Sequence, residues 1–204
     1  MRLVEGHGYF GEGKYKSRDE NGKKTKCYDT WKHMLTRVYS KKYQLKYPTY
    51  SECTVCEEWL NFQNFAKWYE ENYYEIEGQR MHLDKDILHK GNKHYSPENC
   101  VFVPQRINEL FTKNNKNRGN YPIGVTEHKR DRVLYARCSV YDKEIKRKKI
   151  INIKIFPLDR PFQAFTCYKN FKEKYIKEVA DEYKKLIPNK LYEALYNYKV
   201  EIND

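Results

Sequence analysis

Rings supply a large share of what this chain has to bury. It carries twenty Tyr, nine Phe and three Trp against a mean hydropathy of -1.03, so an ordered fold must be built largely on aromatic side chains. Each ring removes a large apolar area from water, while Tyr and Trp keep one polar handle for the surface. That is not the composition of a disordered chain. The 204 residues suffice for one domain or two small ones. No stretch is long and apolar enough to span a bilayer, and GHGYFGEG near the start lacks the apolar core of a secretory signal. Six Cys in such a context fit reduced thiols, which leads us to expect a cytoplasmic protein with no membrane partner.

Residues 1–27 are rich in Gly, Lys and Asp and lack periodicity, which predicts an extended or loosely ordered arm. Asp29 or Thr30 is placed to cap a helix bearing Trp31, Met34, Leu35 and Tyr39 on one side. A second aromatic stripe, Trp59, Phe62, Phe65, Trp68 and Tyr69, predicts another helix. MHLDKDIL (81–88) and CVFVP (100–104) read as short strands, and Pro104 fits the first position of a helix carrying Ile107, Leu110 and Phe111. KNNKNRGN (113–120) is polar, basic and aperiodic, hence a linker. Beyond it, YPIGVTEH, RVLYARCSVY and IINIKIF predict a three-stranded antiparallel sheet. Phe162 to Val179 then form a long amphipathic helix, and a short closing helix follows Pro188.

Charge is distributed unevenly over this frame. The formal net charge is +12, and residues 113–160 alone hold 14 basic and 5 acidic side chains. A polyanion is the natural partner of such a surface, although a basic run can also be a solvated face. Strands with alternating basic residues suit a DNA groove, where Lys and Arg reach phosphates while alternate side chains pack on a helix. Arg130, Arg132, Arg137, Lys146, Arg147, Lys148 and Lys149 are available for that role.

Candidate chemistry concentrates in residues 82–108. Asp84 and Asp86, two apart on the predicted strand, would project from one face and attract a hard cation. Mg²⁺ or Mn²⁺ held by few carboxylates keeps open positions for a phosphodiester. The same pair also suits a solvated edge or an ion pair with Lys85. His82 shares the face of Asp84 if the strand is regular, and His89 and His94 lie nearby as alternative proton carriers. Cys53 and Cys56 form one CxxC; zinc would need further ligands, with Cys27, Cys100 or a His as candidates, and two small buried residues is the alternative reading.

In order and spacing, LDKDIL, YSPENC, VP and the closing Asn108 resemble the ββα-metal core of bacteriophage HNH endonucleases. The resemblance implies an acidic metal ligand at Asp84, a loop-holding Asn at Asn99 and a second metal ligand at Asn108. Lys85 stands where that family usually carries its general-base His, so Lys85 would stabilise phosphorane charge or, with His82, handle protons. Residues from Tyr121 to about Tyr183 resemble the Apetala-type DNA-binding domain, through GV (124–125), YAR (135–137) and the Phe-rich helix. The Trp residues of plant members are absent, so this second resemblance implies a shared fold rather than shared base readout.

The expected protein is therefore α+β. A helical amino-terminal region leads into an HNH-like core within 28–112, and after the linker a three-stranded antiparallel sheet packs on a long helix within 121–204. The expected function is metal-dependent hydrolysis of duplex DNA. Its rival is a nuclease-derived DNA-binding protein without cleavage, acting as a regulator or as a phage inhibitor of a host defence system. A module that prefers RNA is a third reading.

Overall fold

A computed structural model describes residues 3–112, 120–202 and 204, which leaves nearly all of the expected linker outside the described residues. The chain folds as two compact units, Met1–Asn108 and Glu109–Asp204.

In the first unit, helix α1 (Lys26–Tyr39) buries Trp31, Met34, Leu35 and Val38. Its cap is Thr25, whose hydroxyl accepts from the Tyr28 N–H at 3.2 Å, so the helix begins one turn before the expected Asp29. Asp29 instead lies in the first turn, where a carboxylate suits the positive end of the helix dipole. Helix α2 (Lys41–Lys46) follows at once, and its buried Gln44 donates Nε2 to the Val38 carbonyl at 2.5 Å. That bond satisfies one of the carbonyls left open at the end of α1. Strand β1 (Thr54–Val55) and a 3₁₀ turn at 57–60 lead to helix α3 (Phe62–Asn72), capped by the Asn61 side chain. Trp31, Trp59, Phe62 and Phe65 are at most 1% exposed, so the core is aromatic as its composition required. The Trp31 indole N–H donates to the Trp59 carbonyl at 2.7 Å, which satisfies the one polar atom that ring brings inside.

The amino-terminal segment is docked rather than loose. Tyr9 exchanges main-chain bonds with Leu60 and Phe62 at 2.8 and 2.9 Å, and the Tyr15 N–H donates to the Gln63 side chain at 3.0 Å. Glycine makes this close approach feasible. A Cβ on Gly8 would collide with Leu35 and lie 2.8 Å from the Trp31 ring. The glycines that suggest a flexible arm are thus what let backbone lie flat on the core.

Strand β2 (Met81–Asp84) runs antiparallel to β4 (Val101–Pro104), with Met81 opposite Pro104 and Asp84 opposite Val101. Between them, β3 (His94–Tyr95) pairs in parallel with β1. Strand alternation sends Met81, Leu83 and Phe102 into the aromatic core. His82, Asp84, Val101 and Val103 fall on the other side of the ladder. Helix α4 (Gln105–Asn108) packs on both strands and buries Ile107 completely. Pro104 ends the strand and does not open the helix. Gln105 provides the next ladder bond, from its N–H to the Arg80 carbonyl at 2.8 Å.

The second unit carries an antiparallel sheet in the order β5 (Val125–His128), β6 (Val133–Asp142), β7 (Arg147–Pro157). Helix α5 (Pro161–Tyr183) lies across all three strands, and α6 (Asn189–Tyr196) closes against it. Leu134, Ala136 and Cys138 are buried, so Tyr135, Arg137 and Ser139 point away from the helix. Strand β7 starts at Arg147, earlier than the expected Ile150, which places most of KRKK in the ladder instead of the turn. Gly124, at φ +74°, presses on the Tyr168 ring of α5, where any side chain would clash. Glu109–Phe111 form a 3₁₀ turn that belongs to this unit, so the boundary precedes the expected residue 112. Lys148 pairs with the Glu109 carboxylate at 3.1 Å, and Phe111 meets Tyr198 at 4.7 Å between ring centroids.

Candidate metal site and nucleic-acid surface

Asp84 ends β2 by its own chemistry. Its Oδ1 accepts the N–H groups of Asp86 and Ile87 at 2.9 and 2.8 Å, which curls the chain out of the strand. The strand expected to continue to residue 88 therefore stops at 84. Asp86 is consequently in the turn and exposed, and the two carboxylates become neighbours through this turn, not through strand alternation. Burial first, and the Asp86 carboxylate second, push the Asp84 carboxyl up to about 6. Both effects oppose a negative charge on Asp84, and a bound cation would relieve both.

Lys85, the first residue past the strand, is 8% exposed. Its Nζ donates to Asp86 Oδ2 at 3.3 Å and to the Asn92 carbonyl at 3.2 Å, and lies 5.7 Å from the centre of the Tyr95 ring. This lysine is thus engaged on three sides by its own loop. His82 is half-buried and shares the Asp84 side of β2, whereas His89 is exposed and His94 contacts the Thr54 hydroxyl at 2.7 Å. Asn108 is the last residue of α4, which packs on the strand that carries Asp84.

Asn99 donates to the Ser96 hydroxyl at 2.9 Å and tightens the turn before β4. The residue that spans the 85–94 loop is Asn92. Its Nδ2 donates to the carbonyls of Lys85 and His94 at 2.7 and 2.8 Å, and its main-chain N–H donates to the His89 carbonyl at 2.9 Å. The Gly91–Asn92 pair marks a turn in the sequence, but nothing local distinguishes a turn Asn from a loop-spanning one.

Among the described residues, no three His, Cys, Asp or Glu side chains gather as a metal-binding group. Asp84 and Asp86 meet at the turn, and Asn108 ends the helix that packs on β2. Their hard oxygen donors fit Mg²⁺ or Mn²⁺. Cys53 and Cys56 flank β1 as free thiols, and burial raises both, whereas a thiolate ligand needs the opposite shift. Burial likewise pushes Cys27 and Cys100 up to about 12.

The basic candidates of the second unit divide into two groups. Arg130, Arg132, Lys146 and Arg147 are exposed at or beside the hairpin turns, with Arg132 and Lys146 at φ near +50°. The others have partners. Lys148 is held by Glu109, and Lys149 by Asp142 at 2.5 Å. Arg137 donates to the Asn152 side chain at 2.8 Å and lies 4.7 Å from the Tyr135 ring centre, on the open face of the sheet. No protein-family model, curated protein or solved structure matches the chain.

Proposed function

We propose that the chain is a metal-dependent DNA endonuclease of the HNH type. The observation that carries this reading is Asp84, whose charge is opposed by burial and by Asp86 at the end of a strand against which α4, the helix that ends at Asn108, packs. Asp84 and Asn108 would hold Mg²⁺ or Mn²⁺, with Asp86 assisting directly or by way of water. When bound, such an ion polarises a phosphodiester oxygen and offsets developing negative charge. His82, on the Asp84 side, would take the proton of the attacking water. Asn92 and Asn99 hold the turns at either end of β3, and Lys85 fixes the loop while placing one positive charge beside it. Arg130, Arg132, Arg137, Lys146 and Arg147 would grip duplex phosphates; Lys148 and Lys149 would join them only after exchanging their carboxylates.

One observation favours the second reading, a binding protein that regulates or inhibits without cutting. Lys85 stands where the resembled family keeps its general base, and its amine is committed to Asp86 and Asn92. Plasmid nicking in Mg²⁺ or Mn²⁺ separates the two. Cleavage by the wild type that is lost in both Asp84→Ala and Asn108→Ala is the expected result. DNA retardation without cleavage under any condition would replace the enzyme by the binding protein.

A further inference from the structure

The segment 41–50 has no part in the proposed metal site, yet it has an unusual surface. From Arg37 through Ser51 the chain carries four basic and no acidic side chains, interleaved with Tyr43, Tyr47 and Tyr50. The rings form a continuous group: Tyr43 meets Tyr47 at 4.8 Å and Tyr50 at 5.9 Å between centroids. Lys46 Nζ lies 5.4 Å from the Tyr47 ring centre and the Arg37 guanidinium 5.6 Å from that of Tyr50. Tyr50 and Tyr43 are half-buried, while Tyr47 is 41% and Leu45 85% exposed.

This surface is also held in place. Buried Gln44 pins α2 to the end of α1, the Tyr47 N–H donates to the Tyr43 carbonyl at 2.9 Å, and Pro48 restricts the backbone at Tyr47. Tyr50 is tied to the far end of the 85–94 loop: its carbonyl accepts the Cys53 N–H at 3.1 Å, and β1, which follows, pairs with β3. A paired duplex meets this segment with phosphates and base edges, for which lysines and Tyr hydroxyls suffice. An exposed ring between cations gains further if a base presents its flat face, which an unpaired strand does and stacked duplex bases do not.

We propose that residues 41–50 are a stacking platform for an unpaired DNA strand, with Tyr47 as the outer ring and Lys41, Lys42 and Lys46 along the backbone. The proposal rests on the nuclease reading and narrows its substrate to duplex DNA with a locally opened strand beside the Asp84–Asp86 turn.

Fluorescence anisotropy on four probes of one sequence tests it: blunt duplex, the same duplex with an unpaired bubble, the single DNA strand, and its RNA counterpart. The bubble is expected to bind tighter than the blunt duplex. Tyr47→Ala should weaken bubble and single-strand binding by about 5- to 150-fold, the range for loss of one base–ring stack, and leave blunt-duplex binding unchanged. Tyr47→Phe should retain the preference, and Lys46→Gln should weaken all DNA probes alike. Equal affinity for bubble and duplex, or an equal Tyr47→Ala effect on every probe, would overturn the platform while leaving the nuclease reading intact. Binding of the single strand and bubble, with cleavage of neither the bubble nor the duplex in Mg²⁺ or Mn²⁺, would support the platform and overturn the nuclease. Tighter binding of the RNA strand would overturn the assignment to DNA.

Discussion

Replacing Asp84 by Asn should make the protein more stable at neutral pH. The carboxyl is raised from 3.8 to about 6, so its ionised form is disfavoured in the folded chain relative to the unfolded one. A group raised in this way contributes stability that is complete below its unfolded pKa and is lost as pH rises through the folded value. Two pKa units correspond to about 3 kcal/mol, lost between about pH 4 and pH 6 and constant above. An Asn side chain keeps the acceptor oxygen that holds the Asp86 and Ile87 N–H groups, so the turn survives and only the charge is removed. Urea unfolding of both proteins at several pH values reads the difference directly. The Asp84→Asn protein should gain about 3 kcal/mol over wild type above pH 7 and nothing near pH 4. Millimolar Mg²⁺ should then recover part of the wild-type deficit without affecting the variant, because a ligand of the folded state alone stabilises by mass action. A variant less stable than wild type at pH 7.5, or a difference independent of pH, would refute the view that Asp84 is a charge held against its surroundings.

Two further outcomes are expected. Asn92→Ala removes side-chain bonds to the Lys85 and His94 carbonyls and should cost about 2–4 kcal/mol in urea unfolding, far more than Asn99→Ala, whose lost bond is one local link to Ser96. Gly8→Ala forces a methyl group onto Trp31 and Leu35 and should cost about 1–3 kcal/mol or detach the amino-terminal segment, seen as faster proteolysis before residue 26.

What was legible in the sequence follows from how local each signal is. Period-two and helical patterns over eight or more residues, such as Val133–Asp142 and Phe162–Val179, correspond to elements that are present. The β1–β3 ladder has two residues per strand, too short for any period, and nothing in TV or HY announces it. Thr25 was obscured because Asp29 and Thr30 offer equally good caps a turn later, and only the docked segment before α1 decides between them. For the candidate site, the order strand–turn–strand–helix could be read from residues 81–108. The early end of β2 could not, because it depends on which way the Asp84 side chain turns. The partners of Lys148 and Lys149 were equally hidden, since Glu109 and Asp142 meet them only through folding.

The docked amino-terminal segment bears on how the chain is made. Tyr9 finds its strand-like partners at Leu60 and Phe62, and the Tyr15 hydroxyl meets Glu70 at 2.6 Å across 55 residues of sequence. A ribosome adds about 5–20 residues per second, so this segment waits for about 3–11 s before its seats exist. During that interval α1 has its cap but not its cover, and Trp31 and Leu35 face solvent or a chaperone. The segment before α1 is therefore among the last parts of the first unit to settle, and α3 must be synthesised before it can.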